Sequence, residues 1–249
     1  MIDLHCHYLP GVDDGARTLG DALALAAASV ADGITTAILT PHVHPGVFDN
    51  RLSALRPAFE LFRQALAEAR IPLEVYLGAE VRIHPTAFEL LAIDELPFIG
   101  HFGEDRLVLL EFPDGQLPVG GLAAVRFLAN QGVRALIAHP ERNKEVMRDP
   151  DRIRPYIDAG CLLQVTAASI TGRFGAPAFR TARHLLEKGW VDVVASDAHN
   201  LSARPPVMQE ARAELVRHFG LGIAHRLTEE RPGELVARRR TETAASGVA

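Results

Sequence analysis

His5 and His7 stand two residues apart at the end of the first apolar run, and Asp13 and Asp14 follow within one loop. Residues of the same kind close the later apolar runs. His42 follows "ITTAILTP", Glu80 sits in "PLEVYLGAEV", Glu111 in "RLVLLEFP", His139 in "VRALIAHP", and Asp197 with His199 in "WVDVVASDAH". The run "CLLQVTAAS", ending near Gln164 and Thr166, is the exception and has no strong ligand. Imidazole nitrogens and carboxylate oxygens gathered in this way bind divalent transition metals. Side chains two apart on an extended strand face the same way, so His5 with His7, and Asp197 with His199, are expected to share one site. Cys6 and Ala198 would point away, and Cys6 reads as a small buried filler. The remaining histidines read differently. His184, His218 and His225 belong to helix surfaces, His84 and His101 lie in loops as non-ligands, and His44, two residues past His42, stays open as a ligand.

These residues need elements that bring strand ends together. Between the apolar runs lie helical patterns: "TLGDALALAAASVADG", with Thr18 as N-cap and Gly33 as stop, "RLSALRPAFELFRQALAEAR", with a kink at Pro57, "GGLAAVRFLANQG", "DPDRIRPYIDAG", "APAFRTARHLLEKG" and "PPVMQEARAELVRHFG". The β-then-α alternation argues for an α/β fold with a parallel sheet and helices outside. The strands are continuous apolar runs, as burial of both faces requires. Parallel α/β proteins place their sites at the carboxyl ends of strands, and a closed barrel gathers all of them at one mouth. Open sheet and barrel both remain compatible with the pattern. One domain is expected over residues 1–230, with a tail over 231–249 that loses periodicity, frays, and carries Arg238 to Arg240 as a solvated run.

Composition sets the boundaries. With 249 residues, 48% apolar and 23% charged, the chain can form a sizeable core. A net charge of −5 argues against a nucleic-acid partner or a membrane surface. Cys6 and Cys161, the two cysteines, make no disulfide framework, and no thiol nucleophile loop of the Cys-x5-Arg kind surrounds either. No signal peptide and no apolar run of membrane-spanning length is visible, so a cytoplasmic protein is expected.

"DLHCH", "TPH", the strand-end Glu80, "AHPER" and "SDAH" in this order resemble the PHP (polymerase and histidinol phosphatase) metal-dependent phosphoesterases. The longer segments "MIDLHCHYLPGVDDGA", "TPHVHPGVF", "LLEFP", "AHPERN" and "SDAHNLSARPP" are similar to a narrower group, the manganese-type bacterial tyrosine phosphatases of capsule and exopolysaccharide operons, the CpsB/YwqE group. The likeness runs from residue 1 to about residue 225. It implies a distorted (β/α)7 TIM-like barrel, the PHP fold, with three divalent metal ions, manganese first, with iron, zinc or cobalt also suited to these ligands. Carried over by motif, one ion takes His5, His7, Glu80 and Asp197, a second Glu80, Glu111 and His139, and a third Asp14, His42 and His199. Arg142 and Arg204 match arginines that hold the substrate phosphate. The implied partner is the phosphorylated tyrosine-rich tail of a bacterial tyrosine kinase, and a homo-oligomer is allowed.

The implied chemistry agrees with charge counting. Asp14, Glu80, Glu111 and Asp197 bring four negative charges against six from three divalent ions, leaving about two positive charges to attract a dianionic phosphomonoester. A metal-bound hydroxide, its pKa lowered towards ~7, would attack phosphorus. Tyr8, Phe48 or Phe112 would meet the substrate ring. The rival readings are a histidinol-phosphatase-like enzyme with the same metals, an amidohydrolase, and a non-catalytic metal-bearing module. The amidohydrolase often needs a carboxylated lysine at a strand end, and neither Lys144 nor Lys188 follows a strand run.

Overall fold

Among the described residues the seven apolar runs all form strand, the second and third each split in two where a site residue begins, and with one further strand the total is ten. They are β1 (Ile2–Cys6), β2 (Thr36–Leu39), β3 (His42–Val43), β4 (Glu74–Leu77), β5 (Glu80–Arg82), β6 (Gly100–Phe102), β7 (Asp105–Glu111), β8 (Val133–Ala138), β9 (Leu162–Thr166) and β10 (Val193–Ala195). The helices are α1 (Leu19–Ala31), α2 (Leu52–Glu68), α3 (Pro85–Ala92), α4 (Gly121–Asn130), α5 (Lys144–Arg148), α6 (Arg154–Asp158), α7 (Ala167–Ile170), α8 (Gly175–Glu187), α9 (Gln209–Phe219), α10 (Leu221–His225) and α11 (Arg231–Ser246). The structure is a computed structural model and describes the backbone of residues 1–246, with side chains to residue 239. Thr18 caps α1 through a capping box with Asp21, as its spacing predicts, and Pro57 lies inside α2.

Parallel pairing follows chain order. β1, β2 and β4 make one sheet, and β3, β5, β7, β8, β9 and β10 make the other, with β2 continuing into β3 and β4 into β5 after two-residue breaks. The ring is not a continuous ladder. Between β1 and the end of β10 there is a single parallel bridge, Cys6 with Ala198, carried by His7 N to Ala198 O at 2.8 Å and Asp197 N to His5 O at 2.8 Å. Below it a side chain takes over the seam: buried Asp3 accepts from Ser196 N at 2.9 Å and from Ser196 Oγ at 2.5 Å.

The strand rows explain why the ligands stand where they do. An inner apolar cluster includes Ile2, Leu4, Ile38, Tyr76, Leu107, Leu109, Leu136, Ala138, Leu162, Val193 and Ala195. The alternate residues, such as Ala37, Val108, Leu110, Ile137, Leu163 and Val194, join the larger cluster under the helices. Continuing the inner rows by two residues reaches Glu111 after Leu109, Gln164 after Leu162 and Asp197 after Ala195. In β1 the parity is changed by a register shift between Asp3 and Cys6, so that Leu4 belongs to the inner cluster while Cys6 joins the outer one. His139 leaves its row through a left-handed backbone, φ +31, just past Ala138.

Two features depart from the sequence expectation. β6 pairs antiparallel with β7 as a hairpin that no apolar run announces. Of the segment expected to fray, Arg231–Ser246 is instead helical, with Leu235 and Val236 buried in the inner cluster and closing the barrel floor, while residues 247–249 lie outside the described residues. A Cβ on Gly100 would sit 2.1 Å from Leu235 O, so the helix crosses β6 at a distance that only glycine allows. Arg238 is solvated as expected, its exposed side chain pairing with Glu104, whereas Arg239 is half-buried and donates to Leu77 O and to Phe98 O. The side chain of Arg240 lies outside the described residues. Two apolar residues in a charged segment carry too little periodicity to announce a helix whose partner is a barrel floor.

Candidate metal centre

The strand ends bring the predicted ligands into one cluster, most of it buried. His5 Nε2 and His7 Nε2 lie 3.1 Å apart. Glu80 Oε2 is 3.1 Å from the first and 3.4 Å from the second, and Asp197 Oδ1 is 3.2 Å and 3.6 Å from them. Ligands about 2.1 Å from a common ion stand roughly 3.0–3.4 Å apart in octahedral or tetrahedral geometry, so this quartet has the spacing of one cation's donors. Donor atoms of His42, Glu80 and Glu111 form a second group, and those of His7, Asp14, His42 and His199 a third, the atoms of each lying within 4.8 Å of one another. The first group is the predicted one. In the second, His42 stands where His139 was expected, and His139 Nε2 instead meets Glu80 Oε1 at 2.8 Å. In the third, His7 joins the expected Asp14, His42 and His199.

The fit to cations is visible in what these atoms lack. Glu80 Oε2, Asp197 Oδ1, His42 Nδ1 and His199 Nε2 are buried without a hydrogen-bond partner although they crowd together. An orphaned buried acceptor costs about 1–3 kcal/mol, and several of them on one point are the signature of a missing positive charge. Two of the imidazoles are also kept from carrying a proton. Burial holds His42 down to about 4 and lowers His199, leaving lone pairs for ligation. Burial opposes the charge on Glu80, yet His5 and His42 hold its carboxyl well below the usual range. Glu111 goes the other way, raised by burial and by the neighbouring Glu80 charge. Two site residues, His139 (φ +31) and Asp197 (φ +54), adopt left-handed backbone, which non-glycine residues rarely hold without compensation. Asp197 and His199 therefore share the site by a backbone turn and not by strand pleat.

The Asp13-Asp14 loop divides its labour. Asp13 Oδ2 accepts from His7 Nδ1 at 2.7 Å and from the His42 backbone N–H at 3.0 Å, so it orients the His7 imidazole from behind and pins the backbone that carries His42. Burial pulls His7 down, but Asp13 and Glu80 together outweigh it and raise it to about 10, giving the Asp13 contact its charge-assisted character. Asp14 turns into the cluster, 3.4 Å from His42 Nε2 and 3.3 Å from His199 Nε2. A Cβ on Gly15 would fall 2.1 Å from His7 O, which explains the glycine after the two aspartates. Gln164 Oε1 accepts from His5 Nδ1 at 2.9 Å, so the strand without a ligand supplies an orienting group. Its inner-row parity was the sequence signal for it. Asp13→Asn is expected to lower metal affinity roughly 10- to 100-fold by loosening His7, as loss of such orienting partners does. Metal titration of the variant followed by calorimetry checks this.

Both predicted arginines reach the cluster. Arg142 Nη1 and Arg204 Nη2 each donate to Asp197 Oδ2 at 2.5 Å. Of the three aromatics expected at the substrate ring, two are elsewhere. Tyr8 is fully buried with its hydroxyl on Ser29 Oγ at 2.8 Å, and Phe112 packs in the core against Tyr156. Phe48 remains at the site, half-buried and stacked on His42 with an interplanar angle of 9°. His44 forms a turn with Phe48, His84 caps α3 and His101 lies on β6, and none of them joins a metal group. His184, His218 and His225 pair with Asp151, Glu214 and Glu229 on helix surfaces. Neither thiol suits catalysis: burial pushes Cys6 well up and Cys161 up to about 12. Lys144 is exposed at the start of α5 and Lys188 is exposed at the C-cap of α8.

The fold and site define a distorted parallel α/β barrel with a metal-donor cluster gathered at its strand ends. Residues 1–237 match the model of a family described as capsular polysaccharide synthesis, CpsB/CapC. The tyrosine-protein phosphatase YwqE of Bacillus subtilis is 36% identical over 241 residues, covering 97% of this chain and 93% of that protein. The tyrosine-protein phosphatase CpsB of Streptococcus pneumoniae is 31% identical over 244 residues, covering 95% and 98%. A solved structure from work on these two, described as unique metal-dependent tyrosine phosphatases, superposes with a TM-score of 0.83 at 35% identity, covering 94% of this chain and 91% of that one. The chain belongs to the CpsB/CapC family.

Proposed function

We propose that the protein is a metal-dependent protein-tyrosine phosphatase. The observation that carries this reading is the convergence of Arg142 and Arg204 on one oxygen of Asp197, at the edge of a buried cluster of unsatisfied metal donors. His5, His7, Glu80 and Asp197 would hold one divalent ion, Glu80 and Glu111 with His139 or His42 a second, and Asp14, His42 and His199 a third. Manganese is the ion proposed. Bound there, such ions supply Lewis-acid charge and acidify a water towards neutrality.

The chain's own residues do the rest. With Asp197 holding a cation, Arg142 and Arg204 would be left to grip a phosphate in forked fashion and to stabilise charge on its equatorial oxygens. Asp13 and Gln164 hold the rings of the two central imidazoles with Nε2 facing inward. Phe48, stacked on His42, offers an apolar wall to a phenyl ring. A phenol leaves with a pKa of about 10, so a tyrosyl ester needs less help from a general acid than an alkyl ester does. A buried site at a barrel mouth suits a phosphotyrosine on a flexible tail better than one on a packed surface. The proposed partner is therefore the tyrosine-rich tail of a cytoplasmic tyrosine kinase that controls polysaccharide export. Among the described residues no helix is long and apolar enough to cross a membrane.

The test is catalytic efficiency on a phosphotyrosine peptide, a phosphoserine peptide and histidinol phosphate. The phosphotyrosine peptide is expected to lead. Histidinol phosphate ahead by a wide margin would move the protein to another branch of phosphoesterases while leaving its metal site in place.

A further inference from the structure

The end of β9 brings no metal donor, yet the loop beyond it reaches the site. That loop joins α7 to α8 and carries Gly172-Arg173-Phe174-Gly175. Gly172 (φ +79) and Gly175 (φ +85) both take left-handed backbone, so the chain turns sharply on either side of Phe174. Arg173 anchors the turn, its N–H donating to Ala168 O at 2.8 Å and its guanidinium to Glu210 Oε2 at 2.6 Å on α9. Phe174 is half-buried, its ring centroid 4.7 Å from the guanidinium carbon of Arg142. It also lines a small cleft with Ser196 and Arg204. It belongs to neither apolar cluster, so core filling does not account for it.

We infer that Phe174 is a positioning residue for the phosphate grip: its ring covers one face of the Arg142 guanidinium and leaves the donating edge turned towards the metal cluster. The inference rests on Arg142 being a phosphate ligand. A guanidinium on a flexible stem loses rotamer freedom when it binds an anion, and a ring already stacked on it removes part of that cost beforehand. The same ring keeps water from one face, which strengthens the charge-assisted bonds made at the edge.

The experiment compares Phe174→Ala, Phe174→Tyr, Arg142→Ala and the Phe174→Ala/Arg142→Ala double variant as full-length, manganese-loaded protein. It reads KM and kcat for p-nitrophenyl phosphate, the inhibition constant of inorganic phosphate, and metal content by elemental analysis. Phe174→Ala is expected to raise KM and the phosphate inhibition constant about tenfold, in the range of a desolvated cation–π contact, with a smaller change in kcat. Metal content should match wild type, and Phe174→Tyr should restore phosphate affinity to within about twofold, since a phenol ring stacks as phenylalanine does. The double variant should differ from Arg142→Ala by less than about twofold, because the two side chains act as one unit. Three results would overturn the inference: the full Phe174→Ala penalty persisting without Arg142, a Phe174→Ala protein indistinguishable from wild type, or a loss of bound metal that accounts for its defect. Wild-type phosphate affinity in Arg142→Ala would sink the arginine assignment itself, and the inference with it.

Discussion

Glu80→Ala is expected to lose more metal and more activity than His7→Ala, although both residues belong to two donor groups. The difference lies in the chemistry of the side chains. A carboxylate has two oxygens and can serve two ions, and those of Glu80 already face different neighbours, Oε1 towards His139 and Oε2 towards His5, His7 and His42. His7 has its Nδ1 engaged by Asp13, so a single nitrogen is left to ligate. Removing Glu80 also takes a buried negative charge from among the surrounding imidazoles, which lowers the attraction for every nearby cation. Loss of one ion's Lewis-acid contribution amounts to several kcal/mol, on the order of a thousandfold in rate. Metal content and p-nitrophenyl phosphate turnover measured on both variants check this. Equal metal content and equal residual activity would contradict the bridging role of Glu80.

Arg142→Ala is expected to cost on the order of 2–4 kcal/mol of transition-state stabilisation on a phosphotyrosine peptide, as removal of one charge-stabilising donor does elsewhere. The side chain is half-buried and Asp197 leads the charges that raise its already high pKa against burial, so it is a fixed positive group at any working pH. Both kcat and KM should worsen, because the contact to phosphate exists in the bound substrate and strengthens in the transition state. Catalytic efficiency within about threefold of wild type would exclude Arg142 from the phosphate grip, that margin being well under 1 kcal/mol.

How far the sequence reveals the site depends on the residue. The strand-end ligands are legible, because an imidazole or carboxylate closing a buried apolar run is costly unless a cation or a hydrogen-bond partner meets it, and because inner-row parity carries through Glu111 and Asp197. His5 and His7 share the site as expected, although the parity change in β1 that separates them from Leu4 leaves no mark in the sequence. The choice between Asp13 and Asp14 needs coordinates, since neighbours in a tight loop differ in direction and not in chemistry. Tyr8 defeats the expectation because an aromatic beside a ligand can turn to either side of the sheet, and here it turns outward to Ser29. Phe174 escapes for the opposite reason: it is about thirty residues from Arg142 in sequence, and only the turn between Gly172 and Gly175 brings them together. α11 escapes because its partner is the barrel floor, a surface that exists only after the strands have assembled.

The central claim is that divalent ions held by the strand-end cluster do the chemistry. Its most direct test is elemental analysis of the purified protein paired with p-nitrophenyl phosphate turnover on the same sample, before and after chelation and again after manganese is returned. The account predicts two to three divalent ions per chain for the donor groups present, turnover abolished by the chelator, and recovery with added manganese. A metal-free preparation that keeps full turnover would contradict it.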